Sequence, residues 1–237
     1  ILPISFHCHD GEFMWREHGK ETVKSVRSFD QVKKTDRSSA LFTALRTDFA
    51  KQLMNKCLAH WLEYKKEKPT AKSLFVCARI EDAKVCMAHL DSLGIPNLLA
   101  TSHDRDRCIE NINLFKGAAP VLVTIAVAYE GLDVPPISHV CVLTRIRSKE
   151  WLEQCVSRAT RIDKQAGPYR DQLANIFAPK DPAFIEFIDA IEKEQRTKIK
   201  RPKEKEEQLP LFPIEPEAGG CGFGDPGPCV PISSQIS

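Results

Sequence analysis

Five short apolar runs, all but one consecutive pair separated by a stretch of helical periodicity, restrict this chain to a narrow set of folds. The runs are residues 74–78, 97–101, 121–125, 139–143 and 175–178. They do not alternate with polar residues, so strands built from them must be covered on both faces, as in a parallel sheet. Between them, 81–93 reads as a helix stopped by Gly94 and 105–115 as a helix ended by Gly117. A third helix carries Gln154. Asp181-Pro182 opens a fourth with an N-cap acceptor and a proline at the first position. Its apolar face is Phe184, Phe187, Ile188 and Ile191. Upstream, Leu41, Leu45, Phe49, Leu53, Cys57, Leu58, Trp61 and Leu62 recur at helical spacing from about 39 to 66. Ligands of such sheets bind beyond the carboxyl ends of the strands. Segment 130–133 and the loop after Leu143 are both expected at those ends.

Charge excludes little. The chain has 34 Lys plus Arg against 32 Asp plus Glu, so the overall balance names no partner. No apolar run approaches a membrane span and no signal-peptide pattern is present, which argues for a cytoplasmic protein with no membrane partner. Of nine cysteines, Cys57, Cys77, Cys86, Cys108, Cys141 and Cys155 sit singly in apolar contexts, where a free thiol behaves as a small hydrophobe. A reducing compartment fits that usage. His7-Cys8-His9-Asp10 contains metal-ligand types, but neighbours on a strand point to opposite faces and no second pair exists, so no metal site is expected.

Two strings carry chemistry. Behind Val121-Leu122-Val123 stands Glu130-Gly131-Leu132-Asp133-Val134-Pro135. About twenty residues later Gln154, Arg158 and Arg161 form a QxxxRxxR pattern. On a helix, arginines three apart project from one face. A guanidinium is always charged and offers a planar fork of donors to phosphate oxygens. A carboxylate such as Asp133 can accept from ribose hydroxyls, and Gly131 lets backbone approach a ligand closely.

In order, spacing and residue type these strings resemble motifs V and VI of superfamily 2 helicases, and 73–79 resembles motif IV. The resemblance covers about 73–195 and is closest to the DEAD/DEAH-box, type III restriction subunit-like branch, bacterial or phage. It implies an α/β fold: a RecA-like parallel sheet flanked by helices, with an irregular N-terminal extension and a disordered C-terminal tail. It also implies an ATP-dependent helicase or translocase, a hydrolase, in which Arg161 is the arginine finger, Arg158 a second phosphate contact and Gln154 a polar organiser. Glu130, Gly131 and Asp133 would form one wall of the nucleotide site. Thr101, Ser102 and Thr124 would face the phosphodiester backbone, where hydroxyls suit a translocase that grips phosphates without reading bases. One departure is Ser157, where the family usually has glycine before the first arginine.

A phosphate cradle needs GxxxxGK[ST] and an acidic box for magnesium. Here Gly19-Lys20 is followed by Glu21, and Gly11 lies eight residues before Gly19. ATP and Mg are therefore expected to be bound mainly by an N-terminal RecA-like domain lying before Ile1. The isolated chain is expected to be inactive. The resemblance points to DNA as the nucleic acid and leaves RNA open. The alternative is a non-hydrolysing RecA-like module that binds nucleic acid or serves as an adaptor.

The expected organisation is 1–36 as the tail of a first motor domain or a linker, 37–72 as a helical connector, 73–200 as the RecA-like domain and 201–237 as a disordered tail. The stretch 196–203 holds five basic residues and no acid, the composition of a solvated helix end. From Pro202 the sequence loses periodicity and gains Pro, Gly, Glu and Ser. Within it, Gln208-Leu209-Pro210-Leu211-Phe212 resembles the QLxLF motif that docks on the bacterial sliding clamp. There Leu211 and Phe212 would enter apolar pockets while Gln208 hydrogen-bonds.

Overall fold

A computed structural model of the chain describes residues 1–19, 21–125, 132–199 and 229–237. Along it run β1 (Ile4–His9), β2 (Gly11–Arg16), β3 (Val23–Val26), α1 (Arg37–Ala44), α2 (Asp48–Glu67), β4 (Lys72–Cys77), α3 (Ile80–Ser92) and β5 (Asn97–Ala100). There follow α4 (Arg105–Lys116), β6 (Val121–Ile125), β7 (Ile137–Leu143), α5 (Lys149–Ser157), β8 (Ala174–Pro179), α6 (Pro182–Ile199) and β9 (Val230–Ile236).

Six strands form one parallel sheet in the order β1-β8-β7-β4-β6-β5. Every residue of β4, β7 and β8 is buried, as unbroken apolar runs require. Alternate side chains divide between two cores. Phe75, Cys77, Val121, Val123, Cys141 and Leu143 face Leu53, Cys57 and Trp61 of α2 and Ala83, Cys86 and Leu90 of α3. Leu74, Val76, Leu122, Val140, Val142 and Ile176 face Cys108 and Phe115 of α4, Leu152 and Cys155 of α5, and Phe184 and Phe187 of α6. Each fully buried Leu or Phe contributes roughly 1.5–3 kcal/mol, so both layers are needed to hold the sheet. The architecture is the expected RecA-like α/β sheet.

A second, antiparallel sheet in the order β3-β2-β9 stands beside it. In β2, Gly11, Phe13 and Trp15 are buried while Glu12, Met14 and Arg16 are exposed, the alternation of a half-covered strand. Glycine is required at 11, because an added Cβ would run into the Gln235 carbonyl of β9.

Three segments differ from the sequence reading. Residues 1–36, expected to be irregular, hold β1, β2 and β3. Their partners lie far away in sequence, β8 for β1 and β9 for β2, so no local period announces them. Within 201–237, expected to be disordered throughout, 230–236 form β9; residues 200–228 lie outside the described residues. The helical stretch 39–66 is two helices, broken at 45–47. Thr47 is extended there, and its Oγ1 donates to the Thr43 carbonyl at 2.8 Å, a local bond that competes with helix continuation.

Candidate functional site

The segment 132–136 leads into the amino end of β7, and buried neighbours hold it in place. Leu132 and Val134 are buried on either side of Asp133, whose side chain is 71% exposed. The Ile137 N–H donates to the Val134 carbonyl at 3.1 Å and the Lys72 N–H to the Pro136 carbonyl at 2.8 Å. Asp133 therefore projects at the amino-terminal edge of the sheet.

After β7, α5 packs Leu152, Cys155 and Val156 into the second core and carries the chain back towards that same edge. There the Leu2 N–H, just ahead of β1, donates to the Thr160 carbonyl at 2.8 Å. The helix ends at Ser157, so Arg158 is its C-cap and Arg161 lies beyond it, where a continuous helical face had been expected. The pair still aligns. Backbone bonds from Arg158 to Cys155, Ala159 to Val156 and Thr160 to Ser157 tighten the exit to three residues per turn.

Both guanidiniums donate to one acceptor, the Leu132 carbonyl, at 3.3 Å each. Arg161 also pairs with the Asp133 carboxylate. Burial, and then the neighbouring Arg161, lower the Arg158 pKa from its ordinary value. Two cations drawn together beside one exposed carboxylate make a site that favours an incoming anion. The existing Arg161–Asp133 pair is solvent-exposed and worth about 0–1 kcal/mol, little resistance to exchange for a phosphate oxygen.

The remaining sequence candidates divide. Gln154 is exposed on α5 and makes no hydrogen bond to the arginine pair among the described residues. Ser157 is exposed and its hydroxyl donates to the Gln154 carbonyl at 2.8 Å, so its side chain fits this turn. Glu130 and Gly131 lie outside the described residues, as do Gln208, Leu209, Leu211 and Phe212. Thr101 ends its run and Thr124 is the last residue but one of β6, both towards the carboxyl edge of the sheet, but they are 9% and 3% exposed. Ser102 is exposed beside them.

Asp133 and the loop after Leu143 were both expected at the carboxyl edge. Only the latter is there. β6 and β7 both run parallel to β4, so Leu132–Asp133, just ahead of β7, lie at the amino edge, while Thr101, Ser102 and Thr124 stay at the other. A strand of seven residues spans roughly 20 Å, which separates the two groups.

The sequence reading missed several polar features. At the carboxyl edge, the Arg46 and Arg145 guanidiniums lie 4.7 and 4.9 Å from the Phe42 ring centre. Arg46 and Arg79 both pair with Asp82, at 3.0 and 3.4 Å. Burial raises the Asp82 pKa from its ordinary value. A cavity of about 390 Å³ lined by Arg46, Cys77, Asp82 and Leu143 opens there. Nearby, Arg147 and Asp181, 10% and 6% exposed, pair at 3.0 Å and pin the loop after β7 to the start of α6, which Asp181 caps through the Phe184 N–H. Arg46, Arg79 and the Arg145–Arg147 pair come from three separate segments, so no linear charge run signals them.

His7 and His9 sit on one face of β1 against Phe177, with ring centres at 4.4 and 6.1 Å, and Cys8 packs into the opposite core. Among the described residues no group of three or more His, Cys, Asp or Glu could hold a metal ion. The eight described cysteines are free thiols. No helix among the described residues is long and apolar enough to cross a membrane.

Residues 51–163 match the family model of the helicase conserved C-terminal domain. Among solved structures, the fragment of a putative HsdR subunit of a type I restriction enzyme from Vibrio vulnificus YJ016 aligns with a TM-score of 0.51 and 20% identity. The alignment covers 67% of this chain and 31% of that one. The Pyrococcus furiosus Hef helicase domain aligns at a TM-score of 0.42 with 22% identity over 59% of this chain and 28% of that one. The S. cerevisiae Dbp5 L327V C-terminal domain, bound to Gle1 H337R and IP6, aligns at 0.44 with 16% identity over 83% and 85%. At these identities the likeness is one of fold. The chain spans about a third of the length of the first two. No curated protein matches.

Proposed function

We propose that this chain, residues 51–163 of which match the helicase conserved C-terminal domain, is the second motor half of an ATP-dependent superfamily 2 translocase or helicase acting on DNA. One observation carries the reading. Two guanidiniums from beyond α5 converge on the Leu132 carbonyl, beside an exposed carboxylate, at one edge of a parallel sheet. Phosphoryl transfer is catalysed chiefly by positioning and charge neutralisation, and an arginine against the γ-phosphate is a large part of both.

The donor set fits one wall of a nucleotide site. Arg161 serves as the finger, Arg158 as a second phosphate contact, and Asp133 as the partner Arg161 leaves when phosphate arrives, free then to accept from a ribose hydroxyl. ATP supplies the phosphoryl group and Mg neutralises its charge. The sequence offers no phosphate cradle, so those ligands come from the nucleotide-binding half. Gln154 organises the approach from α5. At the opposite edge Ser102 offers an exposed hydroxyl for a phosphodiester, with Thr101 and Thr124 shaping the backbone beneath it. Gln208, Leu209, Leu211 and Phe212 form a sliding-clamp docking peptide in the same reading.

The test is reconstitution with a nucleotide-binding half and DNA. DNA-stimulated ATPase that appears only when both halves are present supports the motor. Nucleic-acid binding with no turnover in any combination would favour the non-hydrolysing module instead.

A further inference from the structure

Arg161 occupies a loop, and loops are mobile unless something holds them, yet a catalytic guanidinium must be placed to within a fraction of an ångström. Two buried residues flank it. On one side Thr160, 7% exposed, accepts the Leu2 N–H through its carbonyl at 2.8 Å and donates its hydroxyl to the Ser157 carbonyl at 3.1 Å. On the other stands Asp163, also 7% exposed, with Ile162 at 45% between.

Asp163 is a buried carboxylate with no ion pair among the described residues, an expensive arrangement unless hydrogen bonds replace its water. They do. The Thr70 hydroxyl donates to Oδ2 at 2.7 Å and the Gln165 N–H to Oδ1 at 2.9 Å. Gln172, 2% exposed, completes the cluster with three hydrogen bonds from its amide. Its Oε1 accepts from the Asp163 N–H at 3.0 Å, and its Nε2 donates to the carbonyls of Asp163 and Gly167 at 2.7 and 2.8 Å. Gly167, at φ +87°, takes the left-handed turn that lets residues 163–172 fold back on themselves. Thr70 precedes β4 and Gln172 precedes β8, so the loop is bolted to two strands of the sheet.

A buried polar cluster seldom outdoes apolar packing for stability, and its usual return is a fixed geometry. We propose that Thr70, Asp163 and Gln172 are positioning residues that hold Arg161 at the amino edge of the sheet, through the backbone it shares with Asp163. This rests on the reading of Arg161 as the finger and deepens it.

Two measurements test it. In the 237-residue chain, the Arg161 Nε–H resonance, identified by its loss in Arg161→Lys, is expected to report an ordered side chain. Thr70→Val, which removes one hydroxyl and keeps the shape, is expected to average it towards free arginine. A resonance unchanged in both Thr70→Val and Asp163→Ala overturns the proposal. In the complete motor, Thr70→Val and Gln172→Ala should lower kcat by about ten- to a hundredfold with KM little changed. In an Arg161→Ala background the same changes should add less than roughly twofold, because they act through that side chain. An equal loss in both backgrounds would show a general structural role and overturn the proposal. If Arg161→Ala alone leaves kcat intact, the finger reading fails, and the resonance still decides whether the cluster orders Arg161.

Discussion

His60 and His139 share a hydrogen bond of 2.8 Å, Nδ1 to Nε2, that ties the middle of α2 to the buried strand β7. His139 is completely buried and its other nitrogen meets the Ser138 hydroxyl at 2.9 Å. His7, from β1, lies against His60 with ring centres 4.8 Å apart. One proton is shared along the His60–His139 contact, and a second would set two N–H groups against each other.

Burial, then His60 and His7, push the His139 pKa down from 6.5 to about 3. Burial also lowers those of His60 and His9. The folded protein therefore refuses a proton that the unfolded chain takes up near pH 6.5. Stability from this cluster is complete above that pH and falls as pH drops towards 3. His139 alone should cost about 2 kcal/mol between pH 7 and pH 5. Urea unfolding at the two pH values checks this, and His139→Gln should flatten that part of the dependence. An equally steep fall in the variant would place the proton uptake elsewhere.

Arg161→Ala in the complete motor should lower kcat about a thousandfold, with nucleotide affinity much less affected. Arg161→Lys should recover little, because an ammonium lacks the planar fork. Steady-state ATPase with DNA present measures both. The isolated chain should show no turnover, since it brings one wall of the site and no phosphate cradle.

Gly11→Ala should loosen β9 without disturbing the parallel sheet. The new methyl meets the Gln235 backbone, which cannot move aside as a flexible side chain would. A loss of about 1–3 kcal/mol is expected. Hydrogen exchange is the sharper readout. Amides of 230–236 should exchange faster while those of β4 and β7 stay protected. Unchanged exchange in β9 would mean that the two strands have room to separate.

A peptide of residues 203–216 should bind a bacterial sliding clamp without the folded domain, with modest affinity because a few anchors must offset the ordering of the segment. Replacing Leu211 and Phe212 by Ala should abolish binding, and Pro210→Ser should matter little. A fluorescence titration of the three peptides decides it. Identical curves for wild type and the double variant would leave the pentapeptide a chance match.

Much of this molecule was legible in its sequence, for a local reason. Leu74, Val76, Val121, Val123, Val140 and Val142 sit in runs whose lack of alternation already demands cover on two faces, and Gly94 and Asp181-Pro182 stop or start helices through their own backbone preferences. The arginine pair was legible as well, because three-residue spacing survives whether the turn is α-helical or tighter.

Tertiary structure decided what depends on distant partners. His7-Cys8-His9 becomes a strand because residues 174–179 offer an edge to pair with, and Phe13 and Trp15 are buried because 230–236 return to complete a sheet. Neither pairing leaves a period in the sequence. From strand order alone, segment 130–133 and the loop after Leu143 were assigned to the same end of the sheet. Only the position of Asp133 just ahead of β7, and the Arg161 contacts to Leu132 and Asp133, put that pair at the amino edge, away from Ser102. Sequence fixes which residues can bind a phosphate through their chemistry; which of them meet is set by the path of the chain across the sheet.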